Sequence, residues 1–191
     1  MKRLLSFLAL LVMLTCFCGS SCKKDKNKNS VDQLPPETQT GANTFGCLVD
    51  GKVFKPAGSS ISGPNLSGIY QHIYLSSPDG YVFSVSGTNK KDPRNITTVG
   101  FGFDSVSMQV GIYPLKIRKT GQGGGGVRIY NDTFPNGNLF DTNENVTGEM
   151  NLKRFDLTNQ IASGTFWFNA VNDKGDTVKI TDGRFDVRFT R

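Results

Sequence analysis

Hydrophobic and polar residues alternate along most of the chain after residue 43. In residues 184–190, for example, Phe185, Val187 and Phe189 alternate with polar side chains. Strict alternation is typical of a half-buried strand, because successive side chains of a strand point to opposite faces of the sheet. The same pattern predicts ten further strands, at residues 44–49, 52–55, 68–76, 81–87, 96–104, 108–112, 127–130, 147–155, 160–171 and 177–181.

Short runs of turn-forming residues separate these predicted strands. The runs are Asp50-Gly51, Pro78-Asp79-Gly80, Asn136-Gly137, residues 173–176 and Asp182-Gly183. From residue 44 onward, no stretch keeps a helical period for three turns. Short strands joined by tight turns predict one all-β domain over residues 44–191, a single antiparallel β-sandwich, with an open or flattened β-barrel as the alternative.

The alternation also predicts which side chains form the core. We expect residues 1–43 to lie outside it, because they lack the strand pattern. The expected core residues are Phe45, Leu48, Val53, Ile69, Ile73, Phe83, Val85, Phe101, Phe166, Phe168, Ile180, Phe185, Val187 and Phe189.

The first 22 residues follow a different pattern, MKRLLSFLALLVMLTCFCGSSC. A basic start precedes an apolar run at residues 4–13, which is too short for a transmembrane helix of roughly 20 residues. Small residues then precede Cys22, an arrangement that resembles a bacterial lipoprotein signal peptide. We therefore expect a signal peptide at residues 1–21 and a lipid on Cys22, with Cys16 and Cys18 removed on cleavage. The alternative is an ordinary secretory signal.

Residues 22–43 are polar and contain four lysines and a Pro35-Pro36 pair. This composition cannot bury enough apolar surface to offset the entropy of ordering, so we expect a disordered tether between the lipid and the domain. The expected location is the outer membrane, with the domain facing either the periplasm or the cell surface, and the expected membrane contact is the lipid anchor.

The net charge of the chain is +6. Six of the basic residues lie before residue 43, and the sixteen basic and thirteen acidic residues from there onward leave +3. This charge is ordinary for a single domain, and together with export it makes nucleic acid an unexpected partner.

Both ends of the predicted domain carry a family resemblance. The segments TFGCLVDGKVFKP and SGTFWFNAVNDKGDTVKITDGRFDVRF resemble the DUF6252 group of uncharacterised Bacteroidetes lipoproteins. The resemblance implies an antiparallel β domain behind a lipid anchor, and it implies no reaction, ligand, cofactor or catalytic residue.

Motifs for catalysis are scarce in residues 44–191. His72 is the single histidine, the sequence has no HExxH or G-x-S-x-G motif, and Cys47 lies in an apolar stretch typical of a small buried side chain. We therefore expect a non-enzymatic protein without cofactor or metal. The alternative is a carbohydrate-active enzyme that uses aspartates in loops.

Two loop-like segments resemble ligand-binding motifs without matching them. GQGGGG at residues 121–126 lacks the Gly-Lys-Ser/Thr and helix of a phosphate loop, so a flexible hairpin connection is predicted. Asp141, Asn143 and Asn145 alternate as in a calcium loop. Val146 and Leu152, however, replace the required glycine and carboxylate, which favours a simple Asn/Asp turn.

Exposed aromatic residues provide the candidate binding site. In residues 68–76 the pattern places Tyr70, His72 and Tyr74 opposite the apolar face, and in residues 160–171 it places Trp167 opposite Phe166 and Phe168. Aromatic rings beside hydrogen-bonding groups suit a sugar ring. A sheet-covering role for the same rings is the alternative. We expect a binding module for a glycan or an envelope protein.

A three-residue pattern marks two candidate modification sites. Asp104-Ser105-Val106 and Asp176-Thr177-Val178 resemble O-glycosylation sites of exported Bacteroidetes proteins. Ser105 is the better candidate, because a turn is predicted around it.

Overall fold

A computed structural model of the chain describes residues 30–61, 63–73 and 80–191. The signal peptide, Cys22 and Tyr74 lie outside the described residues. A 3-10 helix at Ser30–Gln33 comes first. Eleven strands follow: β1 (Thr44–Val49), β2 (Lys52–Phe54), β3 (Leu66–Ile73), β4 (Gly80–Asp92), β5 (Asn95–Asp104), β6 (Gly111–Leu115), β7 (Gln122–Asn131), β8 (Phe134–Asp141), β9 (Gly148–Asp156), β10 (Ile161–Val171) and β11 (Thr177–Arg188). Among the described residues, no helix has the length and apolar composition needed to cross a membrane.

The strands form one sheet that curls into a partial ring. Their order is β2-β1-β11-β10-β9-β6-β7-β5-β4-β3, and β8 pairs with both β7 and β10. All pairs are antiparallel except β6 with β7. Strand β3, at one end of the strand order, meets the residues that follow β11. There the Tyr70 amide donates to the Thr190 carbonyl at 2.8 Å, and the Thr190 amide donates to the Gly68 carbonyl at 2.9 Å. The all-β prediction is confirmed, and the strands form one large, mostly antiparallel sheet.

The core lies on the inner face of the curled sheet, where aromatic rings from strands far apart in the strand order meet. Phe101 contacts Phe166 and Phe185 with ring centroids 5.1 and 5.2 Å apart. Most of the predicted core is confirmed as buried. Val53 and Ile69 are only partly buried, contrary to the prediction, and the side chain of Ile73 lies outside the described part of the chain. The buried predicted residues are Phe45, Leu48, Phe83, Val85, Phe101, Phe166, Phe168, Ile180, Phe185, Val187 and Phe189.

Strand β3 turns the opposite face inward from the one predicted. Tyr70 lies opposite the buried Phe83 of β4, and Gly68 lies opposite the buried Val85. Because directly opposite residues of an antiparallel pair share a face, the even-numbered residues of β3 face the core. The prediction was wrong here because each alternating set of side chains in β3 contains a large apolar or aromatic residue, such as Ile69 in one and Tyr70 in the other, and either set is able to face inward.

The glycine run at residues 123–126 belongs to strand β7 and not to a flexible connection, which corrects the prediction. A Cβ on Gly123 would lie 2.1 Å from the Phe103 ring, and a Cβ on Gly125 would lie 2.7 Å from the Phe168 ring. The inward-facing glycines therefore leave the space that large rings on other strands fill. The glycine-rich composition of this segment predicts flexibility, but the segment is ordered because the large rings of Phe103 and Phe168 pack against it.

Two predicted turns also lie inside strands. Asp182-Gly183 forms a β-bulge in the continuous strand β11, and Asn136-Gly137 lies within β8, a strand that the sequence did not predict. The turn that leads into β8 begins at Asn131, whose side chain accepts hydrogen bonds from the backbone amides of Thr133 and Phe134.

Residues 30–43 lie against the domain, although they were predicted to belong to a disordered tether. We call residues 30–43 the strap. Leu34 is buried, and Pro35 lies so close to Gly46 that a Cβ there would be 2.6 Å from its Cδ atom. Glu37 forms an ion pair with Lys153 of β9. The described part of the domain therefore begins before residue 44.

The carboxylate of Asp186 holds the far end of the strap. Asp186 is 1% exposed and lies on β11. Its oxygens accept hydrogen bonds from the Thr38 hydroxyl (2.6 Å) and from the backbone amides of Thr40 (2.9 Å), Gly41 (2.7 Å) and Ala42 (3.1 Å). The strap has the composition of a tether, but it is ordered because the buried Asp186 carboxylate accepts hydrogen bonds from the backbone amides of the strap.

Candidate functional site

Among the described residues predicted to share a site, Tyr70 and His72 are not together with Trp167. Trp167 is 45% exposed on the outer face of β10, between the buried Phe166 and Phe168. Tyr70 is 8% exposed and faces the core, where it contacts Phe155 at a centroid distance of 5.0 Å. Tyr70 and Trp167 therefore lie on opposite faces of the sheet, and a shared platform does not form.

Tyr70 and His72 join a different aromatic cluster, at the edge of the core. The Tyr70 ring stacks on Tyr81 at 4.6 Å, and His72 meets Tyr81 edge-on at 4.8 Å. Burial raises the pKa of Tyr70 above its ordinary value, helped by the neighbouring Tyr81. These contacts correspond to the structural role that was the alternative for these rings.

Trp167 has its own polar surroundings on the outer face of the sheet. Glu149 of β9 lies directly opposite Trp167 in the strand register, so the two side chains are neighbours. On the other side, the bulge of β11 leaves Thr181 and Asp182 between the pairs Phe166 with Gly183 and Phe168 with Ile180. A carboxylate-bearing residue therefore flanks the indole on each neighbouring strand.

The bulge places Asp182 at a cost in backbone energy. Asp182 adopts a φ of 53°, in the left-handed region that few residues other than glycine occupy. A Cβ on the adjacent Gly183 would lie 2.5 Å from the Phe166 carbonyl oxygen, so a glycine is required there. Bulges are frequent beside functional sites because they redirect a side chain. Here the bulge brings Asp182 to the cleft beside Trp167.

Trp167 forms a wall common to two open clefts. The first cleft has a volume of about 210 Å³ and the second about 420 Å³. The polar residues of the first are Glu37, Glu149, Asn151, Thr165, Asp182 and Arg184. Those of the second are Asp50, Asn145, Thr147, Asn169, Thr177 and Lys179. We call the two clefts and the ring between them the Trp167 surface.

Some charged groups of the Trp167 surface are occupied and others are free. The Arg184 guanidinium donates to the Pro35 carbonyl at 3.2 Å, and the Asp50 carboxylate accepts the backbone amide of Lys179 at 2.9 Å. Within the described part of the chain, the side chains of Glu149 and Asp182 make no hydrogen bond or ion pair. Free acceptors therefore lie on both sides of the indole.

This arrangement has the chemistry that a sugar ring requires. The apolar C–H face of a pyranose packs on an aromatic ring, and its hydroxyls donate to carboxylates and amide oxygens. The Trp167 surface offers an exposed indole with Glu149 and Asp182 beside it, and Asn151 and Asn169 farther along the clefts.

A larger groove of about 580 Å³ lies on the outer face of β4, β5, β7 and β8. Arg118 lies over Gly102, where a Cβ would be 2.9 Å from the guanidinium carbon. Partial burial raises the pKa of Asp141 in this groove, with Arg128 opposing the shift. The aromatic side chain in its lining, Phe101, is buried. The groove therefore offers no ring face for stacking.

The other segments considered as sites, the loop at residues 141–145 and Cys47, have contacts typical of structural residues. The Asn143 side chain accepts hydrogen bonds from the backbone amides of Asn145 and Val146, as in an Asx turn. No group of three or more His, Cys, Asp or Glu side chains able to hold a metal ion occurs in residues 30–61, 63–73 and 80–191. Cys47 is a buried free thiol, and burial raises its pKa far above the ordinary value.

The two candidate modification sites differ in their surroundings. Ser105 follows β5 at a φ of 56° and donates to the adjacent Asp104 carboxylate at 3.2 Å. Thr177 is exposed and lines the second cleft of the Trp167 surface.

The sequence did not identify the partners of Trp167. Glu149 lies in a predicted strand and Asp182 in a predicted turn, and strand register is what brings them to the indole. The available signal was the outward position of Glu149 in the alternation of residues 147–155, but its partner strand is not determined by alternation.

Comparison with protein families identifies a domain family. The model of DUF6252, a domain of unknown function, matches residues 78–187. Comparison with curated proteins and with solved structures finds no match. The matched region contains Trp167, Glu149 and Asp182 but excludes the strap and β1 to β3.

Proposed function

The chain belongs to the DUF6252 family, and we propose that it is a lipid-anchored, non-enzymatic protein of the cell envelope that binds glycans through the Trp167 surface. The observation that carries the proposal is the exposed indole with a carboxylate on each side, Glu149 and Asp182, for which the described part of the chain provides no partner. The lipid on Cys22 attaches the protein to the outer membrane, facing the periplasm or the cell surface.

The character of the Trp167 surface favours binding without a reaction. Its clefts are small, and the indole between them is open to solvent. A stacked ring contributes about 1–2 kcal/mol by analogy with other aromatic contacts, so we expect weak affinity, about micromolar to millimolar. A carbohydrate-active enzyme is the alternative, and release of shortened products from a bound glycan would indicate it.

A glycan array compared with a matched pair of variants tests the binding. Trp167→Ala removes the exposed ring and should abolish binding, with a melting temperature close to that of the unchanged protein. Leu139→Ala truncates a side chain of similar exposure on β8, 44% against 45%, and should leave binding intact. Binding that survives Trp167→Ala would contradict the proposal, as would an array without any bound glycan.

Membrane fractionation and acyl labelling test the anchor. Cys22→Ser should release the protein from membranes and remove the label, whereas Cys16→Ser and Cys18→Ser should leave both unchanged. Retention of the Cys22→Ser protein, together with loss of the label in Cys18→Ser, would place the lipid on Cys18.

A further inference from the structure

We infer that the ligand of the Trp167 surface is the interior of a glycan chain that lacks acidic groups, made of neutral or amino sugars. This inference rests on the proposed function, since it names the class of glycan that the same surface accepts. Two observations support it: the charges beside the indole and the position of the ring between two clefts.

The charges nearest to the indole are negative. Glu149 lies opposite Trp167 in the register, and Asp182 lies in the bulge on the other side. In the first cleft the charge of Glu37 is compensated by Lys153. Glu149 and Asp182 have no such partner among the described residues, and Arg184 is the one cation that lines this cleft. In the second cleft Asp50 and Lys179 carry opposite charges.

Free carboxylates interact differently with neutral, amino and acidic sugars. They accept hydrogen bonds from hydroxyls, and they attract a protonated amino group. They repel the carboxylate of a uronic or sialic acid placed on the indole, because like charges a few ångströms apart disfavour each other even on an exposed face. The Trp167 surface therefore discriminates against acidic glycans.

The position of the ring indicates how the chain lies. Trp167 lines both clefts, so a sugar stacked on the indole has a polar cleft on each side. Neighbouring sugars in both directions then contact polar side chains such as Asn151 in the first cleft and Asn169 in the second. A chain end would leave one cleft empty, so the arrangement suits an internal segment of at least three sugars.

An array of neutral, amino-bearing and uronate- or sialate-bearing oligosaccharides of matched length tests the charge preference. We expect neutral and amino chains to bind and acidic chains to bind at least tenfold more weakly. Addition of salt should weaken this discrimination, because it screens exposed charges. Within a series of one to six units of the best-bound sugar, affinity should rise up to three units and then level off.

The double variant Glu149→Gln/Asp182→Asn identifies the source of the discrimination. It should improve binding of acidic chains by about tenfold, or about threefold for each carboxylate, as expected for exposed charges. Asp132→Asn, which removes a charge from the turn between β7 and β8, should leave the preference unchanged.

The outcomes separate this inference from the proposed function. Trp167-dependent binding in which acidic chains equal or exceed neutral ones would overturn the charge preference and leave glycan binding in place. A single sugar that binds as well as a trimer would overturn the internal-chain arrangement. Absence of any Trp167-dependent binding would overturn the proposed function and this inference together.

Discussion

Asp186 offers the sharpest test of how the strap is held. Its carboxylate is almost fully buried and accepts hydrogen bonds from two hydroxyls, those of Thr38 and Thr40, and from three backbone amides of residues 40–42. Hydrogen bonds to a charged group contribute about 1.5–3 kcal/mol each. Because the freed strap is able to regain some of its hydrogen bonds from water, we expect Asp186→Ala to lower the free energy of unfolding by about 3–5 kcal/mol, the value of about two such bonds.

Asp186→Asn is the graded comparison. Its remaining oxygen is able to keep the bonds that Oδ2 now accepts from Thr38, Thr40 and Ala42, while its amide nitrogen faces the Gly41 amide, which is also a donor. The expected loss is about 1.5–3 kcal/mol, the value of one charged hydrogen bond. Urea denaturation followed by circular dichroism measures both variants. Hydrogen exchange of the residue 40–42 amides should accelerate in the same order.

The pH dependence of the same group has a definite sign. Burial alone favours a raised pKa for Asp186, but the hydrogen bonds from the strap outweigh it and hold the pKa below the usual 3.8. Stability from this carboxylate is therefore present above that value and is lost as pH falls through the lowered pKa. The difference in stability between the unchanged protein and Asp186→Asn should shrink below about pH 4. A loss under 1 kcal/mol in Asp186→Ala, or unchanged exchange at residues 40–42, would refute this account of the strap.

Three further predictions concern the sheet and its core. Gly123→Ala places a Cβ 2.1 Å from the Phe103 ring and should cost about 1–3 kcal/mol in urea denaturation, with partial recovery when Phe103→Leu is added. Cys47 should not react with a thiol reagent at pH 8 until denaturant unfolds the domain, since burial raises its pKa; rapid reaction of the folded protein would contradict this. Deletion of residues 190–191 removes two ring-closing hydrogen bonds and should cost about 1–3 kcal/mol with faster exchange of the Tyr70 amide, whereas deletion of Arg191 alone should change neither.

Alternation predicted the strands and most of the core because burial of one face imposes a period of two. It failed where both alternating sets of side chains in a strand include large apolar or aromatic residues, as in β3. It also failed where the local structure is determined by residues on another strand. The glycines of β7 are ordered by Phe103 and Phe168, and Asp182 reaches the Trp167 surface through a bulge. Trp167 itself was correctly predicted to face outward. Its neighbours were not predicted, because strand order and register depend on pairing over long sequence separations.

The ordered strap limits how far the domain stands from a membrane. With the proposed anchor at Cys22, eight residue steps separate the anchor from residue 30, where the strap begins, and eight steps span at most about 30 Å. If the domain began only at residue 44, the same limit would be about 75 Å. Glu37 of the strap lines the first cleft beside Trp167, so the strap itself borders the Trp167 surface. The Trp167 surface then works within a thin layer next to the bilayer, and the glycans within its range are those that lie close to the membrane.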